Sequence, residues 1–490
     1  MKQPSRNPFW SGRPVTIAEI AALLGLPCPT ALQAIAPIGF SIDSRTIRAG
    51  EIFFAIHGKR LDAHAFVPEA LARGACAAVI HRDPPGLSAA DAARCLRAPD
   101  TLRAMQDLAS ALLARWGRPI VGITGSMGKT TAKDLTELAL APYGRVYASV
   151  GNLNNEYGLP LAVFKMLSDG RRMDDYDVAV LEMGMNEKGE IARLCEIAPP
   201  DVSVVLNVAP VHIENFPDGL EGIAEAKAEI VRGLKPDGVA ILNADDPRVA
   251  RMAAIATARR QDHSGAQAMY FGRHAAAHVT ALDVEPRGLL GSAFTLSTLG
   301  GTAPVELPLI GEHHISNALA AAAVATRFGV APEAIAAQLK LARPGAHRGV
   351  ARRYAGGFTV VDDAYNSNPA ALLEATRLLG QVPNAQRRIL IAGEMRELGE
   401  QSAALHADCG TAIARSAVDI LLGVGGHARA LVEAAQAESD RRGGRLATAF
   451  VETAAEAGAW LAAQAREGDV ILIKGSRGVR LETCLEALPA

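Results

Sequence analysis

The chain has 490 residues, 49% of them hydrophobic and 21% charged, with 46 Gly and 27 Pro dispersed along it. At roughly 100–200 residues per domain this suggests about three domains, and the composition excludes collagen-like and disordered classes. Fifty Lys and Arg against 52 Asp and Glu leave a net charge of -2, so no basic excess is available to coat a nucleic acid, and any phosphate must be met by local groups.

In chain order, Thr16 and Glu19 form a T-x-x-E capping box ahead of an apolar-periodic stretch through Leu24, which predicts a short helix rather than a signal segment. No apolar run reaches the roughly 18 residues of a membrane span. The cysteines (Cys28, Cys76, Cys95, Cys195, Cys409, Cys484) lie far apart without a C-x-x-C pair, the pattern of reduced thiols rather than a disulfide framework or zinc ribbon. A cytoplasmic protein with no membrane insertion is expected.

To about Trp116 the pattern is mixed α/β. Strand-like runs then follow at Ile120–Ile123, Asp177–Leu181, Val202–Leu206 and Val239–Leu242, with helical stretches between them. Short β-branched runs alternating with Ala-rich helices, such as Ala318–Ala325, signal a parallel sheet covered on both faces. Pro344 and Gly345 interrupt the helical periodicity, and a second doubly wound unit follows with runs at Thr359–Val361, Ile389–Ala392, Ile420–Val424 and Val470–Ile473.

The strongest local signal is Gly122-Ile-Thr-Gly-Ser-Met-Gly-Lys-Thr-Thr131, between a strand and the helical stretch Ala132–Leu140. A strand, a glycine-rich turn and a helix N-terminus turn backbone N–H groups and a positive dipole end onto one anion. Gly125, Ser126, Met127, Gly128, Lys129, Thr130 and Thr131 are the candidate ATP-binding residues, with Lys129 toward the β/γ phosphates and the Thr130 hydroxyl toward Mg²⁺. Ligands of open α/β sheets gather at the carboxyl ends of strands. There, Glu182 is an oxygen donor suited to a hard cation, though it also reads as a solvated acid. His212, alone in a loop, reads more readily as a surface or satisfied histidine than as a ligand, and Lys227 reads equally as an ordinary exposed helix lysine.

Taken in order, the motifs resemble the Mur ligase superfamily of ATP-dependent amide-forming enzymes in peptidoglycan precursor synthesis. The resemblance runs from Asp43 to Gly478 and is carried by Ser41-Ile-Asp-Ser-Arg-Thr46, Asp62-Ala-His-Ala-Phe66, the glycine-rich loop, Gly151-Asn-Leu-Asn-Asn-Glu-Tyr-Gly158, Glu182-Met-Gly, His212-Ile-Glu, Ala226-Lys227, Asn243-Ala-Asp-Asp-Pro247 and Gly311-Glu-His-His-Ile-Ser-Asn317. Asp362-Asp-Ala-Tyr-Asn-Ser-Asn-Pro369 and Gly393-Glu-Met-Arg-Glu-Leu-Gly399 are similar to the branch that adds D-alanyl-D-alanine. The diaminopimelate- and lysine-adding branches carry a D-Y-A-H-T-P type sequence at the former place.

The resemblance implies an α/β chain of three domains: a small mixed α/β UDP-binding domain (1–117), a central P-loop domain with a doubly wound parallel sheet (118–342) and a C-terminal Rossmann-like α/β domain (343–490). It implies Lys129 and the loop amides on the ATP phosphates, and Thr130, Glu182, His212 and Lys227 around Mg²⁺, with Lys227 carbamylated. Asn317 would meet the adenine, Arg348 the γ-phosphate and Asp363 the ribose. Ser44 and Arg45 would lie near the uridine diphosphate, and Asn154, Asn155, Tyr365 and Asn366 on the substrate side. Lys129, His212, Lys227 and Arg348 are the implied catalytic residues. No role carries over to His314, where the family commonly has Asn. The implied substrates are ATP, UDP-N-acetylmuramoyl-tripeptide and D-alanyl-D-alanine, joined by a monomer through an acyl phosphate. The third residue of the tripeptide, diaminopimelate or lysine, stays open. An amide ligase for another amine, and a non-catalytic nucleotide switch, are the competing expectations.

Overall fold

The computed structural model describes residues 14–58, 61–211, 213–258 and 268–488. The chain divides into two compact units, the first made of Met1–Val208, Ala224–Val279 and Ala320–Ala331, the second of Ala209–Ile223, Thr280–Leu319 and Pro332–Ala490.

The first unit holds two parallel sheets. One runs β1 (Gly39–Ser41), β2 (Glu51–Phe54), β3 (Ala77–Ile80) and β4 (Cys95–Arg97) in sequence order. The other is built from β5 (Ile120–Thr124), β6 (Val146–Ala148), β7 (Val178–Glu182), β8 (Val202–Val205), β9 (Val239–Asn243) and β10 (Ala268–Phe271), in the order β10-β9-β8-β5-β7-β6. Every residue of β5, β7, β8 and β9 is buried, which is why these strands read as continuous apolar runs instead of alternating ones. The chain leaves β5 to one side for β6 and β7, then crosses back to β8 on the other. The carboxyl end of β5 is therefore a switch point, where an open α/β sheet leaves a crevice.

One hydrophobic core serves both sheets. Helix Thr101–Trp116 is capped by Asp100, which accepts from the Arg103 N–H, and ends at Gly117 with φ +65°. It packs on helix Gly158–Lys165, whose Phe164 ring lies 4.3 Å from Phe40 and 5.9 Å from Phe54 of the first sheet. The Thr16–Glu19 capping box is present in both directions at the start of helix Ile17–Leu23.

The second unit contains the antiparallel strands β11 (Thr280–Pro286), β12 (Ser292–Thr298) and β13 (Gly301–Leu307), with helix Pro332–Leu339 against them. Its larger sheet comprises β14 (Val350–Arg353), β15 (Thr359–Asp363), β16 (Arg387–Gly393), β17 (Ile420–Val424), β18 (Ala447–Val451) and β19 (Asp469–Lys474), ordered β14-β15-β19-β16-β17-β18. Only β14 runs antiparallel, paired to the edge of β15. The α/β class and the second doubly wound sheet match the sequence expectation, while the antiparallel β11–β13 sheet and the β14 edge are additions to it. Among the described residues no helix is long and apolar enough to cross a membrane.

Candidate active site

The switch point carries the glycine-rich loop. Helix Lys129–Leu140 starts three residues earlier than the sequence pattern indicates, with Gly128 as its N-cap at φ +82° and no side chain capping it, so the end of the helix is left to an anion. Gly125 has no space for a side chain, since a Cβ there would lie 2.8 Å from the Leu206 Cβ. Lys129 arches back over the loop and donates to the Gly125 carbonyl at 2.8 Å and the Ser126 carbonyl at 3.4 Å. Its ammonium is thus held over the loop, where phosphates would enter.

Beside the loop, Thr130 Oγ1 donates to Glu182 Oε2 at 2.9 Å, and Asn154 Nδ2 donates to Glu182 Oε1 at 2.8 Å. Glu182 is the last residue of β7 and is 3% exposed. Its own N–H donates to Ser149 Oγ at 3.1 Å, while the Ser149 carbonyl accepts from the buried Lys133 ammonium at 2.5 Å. Lys133 and Ser149 therefore tie the loop helix to the end of β7, and sequence reasoning singled out neither. Asn207, also missed, bonds the backbone of Ser126 and Met127.

Lys227 sits on helix Gly219–Arg232 and is buried, so it is not the exposed helix lysine of the alternative reading. Burial, and then the nearby charge of Lys129, hold its pKa well below the ordinary lysine value. His212 lies outside the described residues. Asn155 works locally: its Oδ1 accepts from the Gly158 and Tyr157 N–H groups at 2.8 and 3.2 Å, fixing the start of helix Gly158–Lys165. Thr131 follows Thr130 in the first turn of the loop helix. Among the described residues no three His, Cys, Asp or Glu side chains cluster as a metal site; the oxygens gathered here come from Thr130 and Glu182, with Asn154 contributing its Nδ2 donor.

At the carboxyl end of β1, Ser44 is buried and Arg45 pairs with Asp43 through two bonds of 2.9 and 2.7 Å. That hydrogen bonding pushes the Asp43 carboxyl down to about 2.

In the second unit, Asn317 is buried, and its Nδ2 lies 3.5 Å from His314 Nδ1. Burial, then the neighbouring His313 and Arg348, hold the His314 pKa well below its ordinary value. The Arg348 guanidinium stacks on the Tyr365 ring at 3.8 Å. Asp363 Oδ2 and the Asn366 carbonyl both accept from Lys474, at 2.6 and 3.1 Å. Lys474, at the end of β19, is the buried cation that orders this loop. The motif Asp362–Pro369 did not point to it, because it lies more than a hundred residues away in sequence.

Residues 39–112 match the family description "Mur ligase family, catalytic domain", residues 123–325 "Mur ligase middle domain" and residues 347–477 "Mur ligase, glutamate ligase domain". Over 452 residues the chain is 33% identical to the UDP-N-acetylmuramoyl-tripeptide--D-alanyl-D-alanine ligase of Bacillus subtilis (strain 168), covering 92% of this chain and 93% of that one. The chain belongs to the Mur ligase family. Among solved structures, MurF from Acinetobacter baumannii aligns with a TM-score of 0.84 and 30% identity over 97% of this chain and 98% of that one. The MurF ligase of Thermotoga maritima in complex with ADP aligns at 0.75 and 28% identity over 92% and 96%. In this Mur ligase the phosphate loop, Asn154, Glu182, Asn207, Lys227 and Asn317 fall in the middle-domain match. Arg348, Asp363, Tyr365, Asn366 and Lys474 fall in the glutamate-ligase match, and Ser44 and Arg45 in the first.

Proposed function

We infer that this Mur ligase joins the amine of D-alanyl-D-alanine to the terminal carboxylate of UDP-N-acetylmuramoyl-tripeptide, using ATP, in peptidoglycan precursor synthesis. The observation that carries the reading is the phosphate loop at the switch point, with Lys129 over it and the Thr130–Glu182 pair beside it, in a chain that aligns nearly end to end with ligases of that name.

The chemistry follows from what each reactant lacks. A carboxylate is a poor acyl donor, its carbonyl being weakly electrophilic and without a good leaving group, so its oxygen first attacks the γ-phosphorus and ADP leaves. The dipeptide amine then attacks the carbonyl of the acyl phosphate, inorganic phosphate leaves, and the amine proton goes to the surrounding solution or a nearby base. The first step brings two anions together and needs preorganised positive charge. Lys129 supplies one such charge, already over the loop.

We propose Thr130, Glu182 and His212 as the residues that hold Mg²⁺. A hydroxyl and a carboxylate are hard oxygen donors of the kind Mg²⁺ takes, and Thr130 Oγ1 and Glu182 Oε2 lie side by side at the end of the loop. The ion, when bound, neutralises phosphate charge. Lys227 is proposed as a carbamate. We keep the family-implied roles of Asn317 toward adenine, Asp363 toward ribose, Arg348 toward the γ-phosphate, Ser44 and Arg45 toward the uridine diphosphate, and Asn154, Asn155, Tyr365 and Asn366 toward substrate. Segments 1–117, 118–342 and 343–490 are the proposed domains, in a cytoplasmic monomer, where ATP is supplied.

The test is ADP release measured against a panel of UDP-muramoyl peptides and amines. Release that depends on the tripeptide and D-alanyl-D-alanine together is expected, and tripeptides ending in diaminopimelate or lysine distinguish the third residue. Release driven instead by D-glutamate or L-lysine as the amine would overturn the substrate assignment.

A further inference from the structure

Asn207 lies two residues past the end of β8 and belongs to none of the motifs described above. The ladder between β5 and β8 does not stop where the strands end. The Leu206 N–H donates to the Thr124 carbonyl at 3.0 Å, and the Ser126 N–H donates to the Asn207 carbonyl at 3.1 Å. The Asn207 side chain then adds one more rung: the Met127 N–H donates to Oδ1 at 2.9 Å, and Nδ2 donates to the Met127 carbonyl at 3.1 Å. One planar side chain thereby takes up both the N–H and the C=O of Met127, which belong to the two peptide units on either side of its Cα. A carboxamide carries that acceptor and donor side by side on one carbon, in a group that is neutral at every ordinary pH.

Asn207 is itself held from both sides. Asn243 Nδ2 donates to the Leu206 carbonyl at 2.8 Å, and the Val208 N–H donates to Asp246 Oδ2 at 2.7 Å. The stretch Asn243–Asp246, at the carboxyl end of β9, thus braces the loop that braces the phosphate loop.

We propose that Asn207 is a positioning residue of the ATP site, acting by fixing the backbone on both sides of Met127 and hence the shape of the phosphate loop. The proposal rests on the ligase reading above and adds a residue to it. Met127 sits between Gly125 and Gly128, and glycine leaves the backbone wide conformational freedom, so a loop of this composition needs bonds from outside to hold one shape before the anion arrives. The N–H groups of Ser126 and Met127 are turned to Asn207. These two amides therefore brace the loop and are not directed at phosphate.

The experiment uses the full-length protein with Asn207→Ala and Asn207→Asp, the latter nearly isosteric. Binding of a fluorescent ADP analogue is titrated, and steady-state constants are measured for each substrate. The ADP dissociation constant and the KM for ATP are expected to rise at least tenfold in both variants, with the KM for D-alanyl-D-alanine staying within twofold. Asp keeps the acceptor but turns an oxygen toward the Met127 carbonyl. Lowering the pH, which protonates that oxygen, should restore part of the ADP affinity in Asn207→Asp and none in Asn207→Ala. ADP affinity within twofold of the unsubstituted protein in both variants overturns the proposal, as does a parallel rise in the KM for every substrate. An unsubstituted protein that binds no ADP overturns the ligase reading itself.

Discussion

Thr130 and Glu182 are 52 residues apart in sequence, yet the Thr130 hydroxyl donates to the Glu182 carboxylate at 2.9 Å. The contact exists because β5 and β7 are parallel neighbours, with Ile123 opposite Glu182 in register, so the loop that follows one strand meets the last residue of the other. Asn154 takes the second carboxylate oxygen. Replacing Glu182 with Gln preserves the shape and removes the charge. For a metal ligand the expected result is a fall in kcat of about 10²-fold and a higher Mg²⁺ requirement. A Mg²⁺ titration of the variant checks this, and an unchanged Mg²⁺ dependence would take Glu182 out of the metal site.

Lys129 gives a second, independent prediction. Its Nζ donates to the loop carbonyls of Gly125 and Ser126, on a helix whose apolar face packs through Ala132, Leu135 and Ala139. Lys129→Ala should therefore leave thermal unfolding close to that of the parent. Turnover should fall by at least about 10²-fold, since one preorganised charge on a transferring phosphoryl group contributes roughly 3 kcal/mol. Near-parental ligation in this variant would remove the lysine from the phosphate site.

The sequence was most legible where burial is two-sided. Val202–Val205 and Ile420–Val424 have apolar runs because helices cover both faces, and the runs mark the strands to within a residue. The strands β12 and β13 were missed for a local reason. Their alternation is present, with Ala303, Val305 and Leu307 inward and Pro304 and Glu306 outward, but Pro304 and the Gly300–Gly301 pair read as breakers. β13 is an edge strand, where a proline is tolerated. The chemistry divided in the same way. Glycine-rich loop and acid-at-strand-end signals are local, whereas Asn207 and Lys474 act through partners that only the strand order brings near. An Asn just past the strand next to the phosphate-loop strand was the available signal.

The buried imidazole of His314 predicts an acid sensitivity. Its folded pKa lies well below the ordinary 6.5, from burial and then the adjacent His313 and Arg348. Below about pH 6.5 the unfolded chain therefore binds a proton that the folded chain refuses, so stability falls as pH falls through that range. The slope approaches about 1.4 kcal/mol per pH unit for one proton. His314→Asn keeps a polar partner for Asn317 and removes the titration. The drop in melting temperature between about pH 7.5 and pH 5.5 should be smaller in the variant than in the parent. Equal drops would mean that other groups carry the acid response.

Lys227 carries the sharpest prediction, because its two readings differ in charge sign. A protonated lysine beside Lys129 is disfavoured by burial and by repulsion, and it would also repel a metal. A neutral amine can add to CO₂, losing a proton and becoming a carbamate anion, which supplies oxygen donors of the kind a hard cation takes. The negative group would also relieve the repulsion from Lys129. Lys227→Ala is expected to lose activity severely and to regain part of it with a small added carboxylate that fills the vacated space. The unsubstituted enzyme should show a carbamate carbon signal by NMR with isotope-labelled bicarbonate, and it should lose activity in buffer stripped of CO₂. Full activity in Lys227→Ala would refute the metal-side role. Full activity in CO₂-free buffer without the carbamate signal would refute the carbamate and leave the amine itself as the working group.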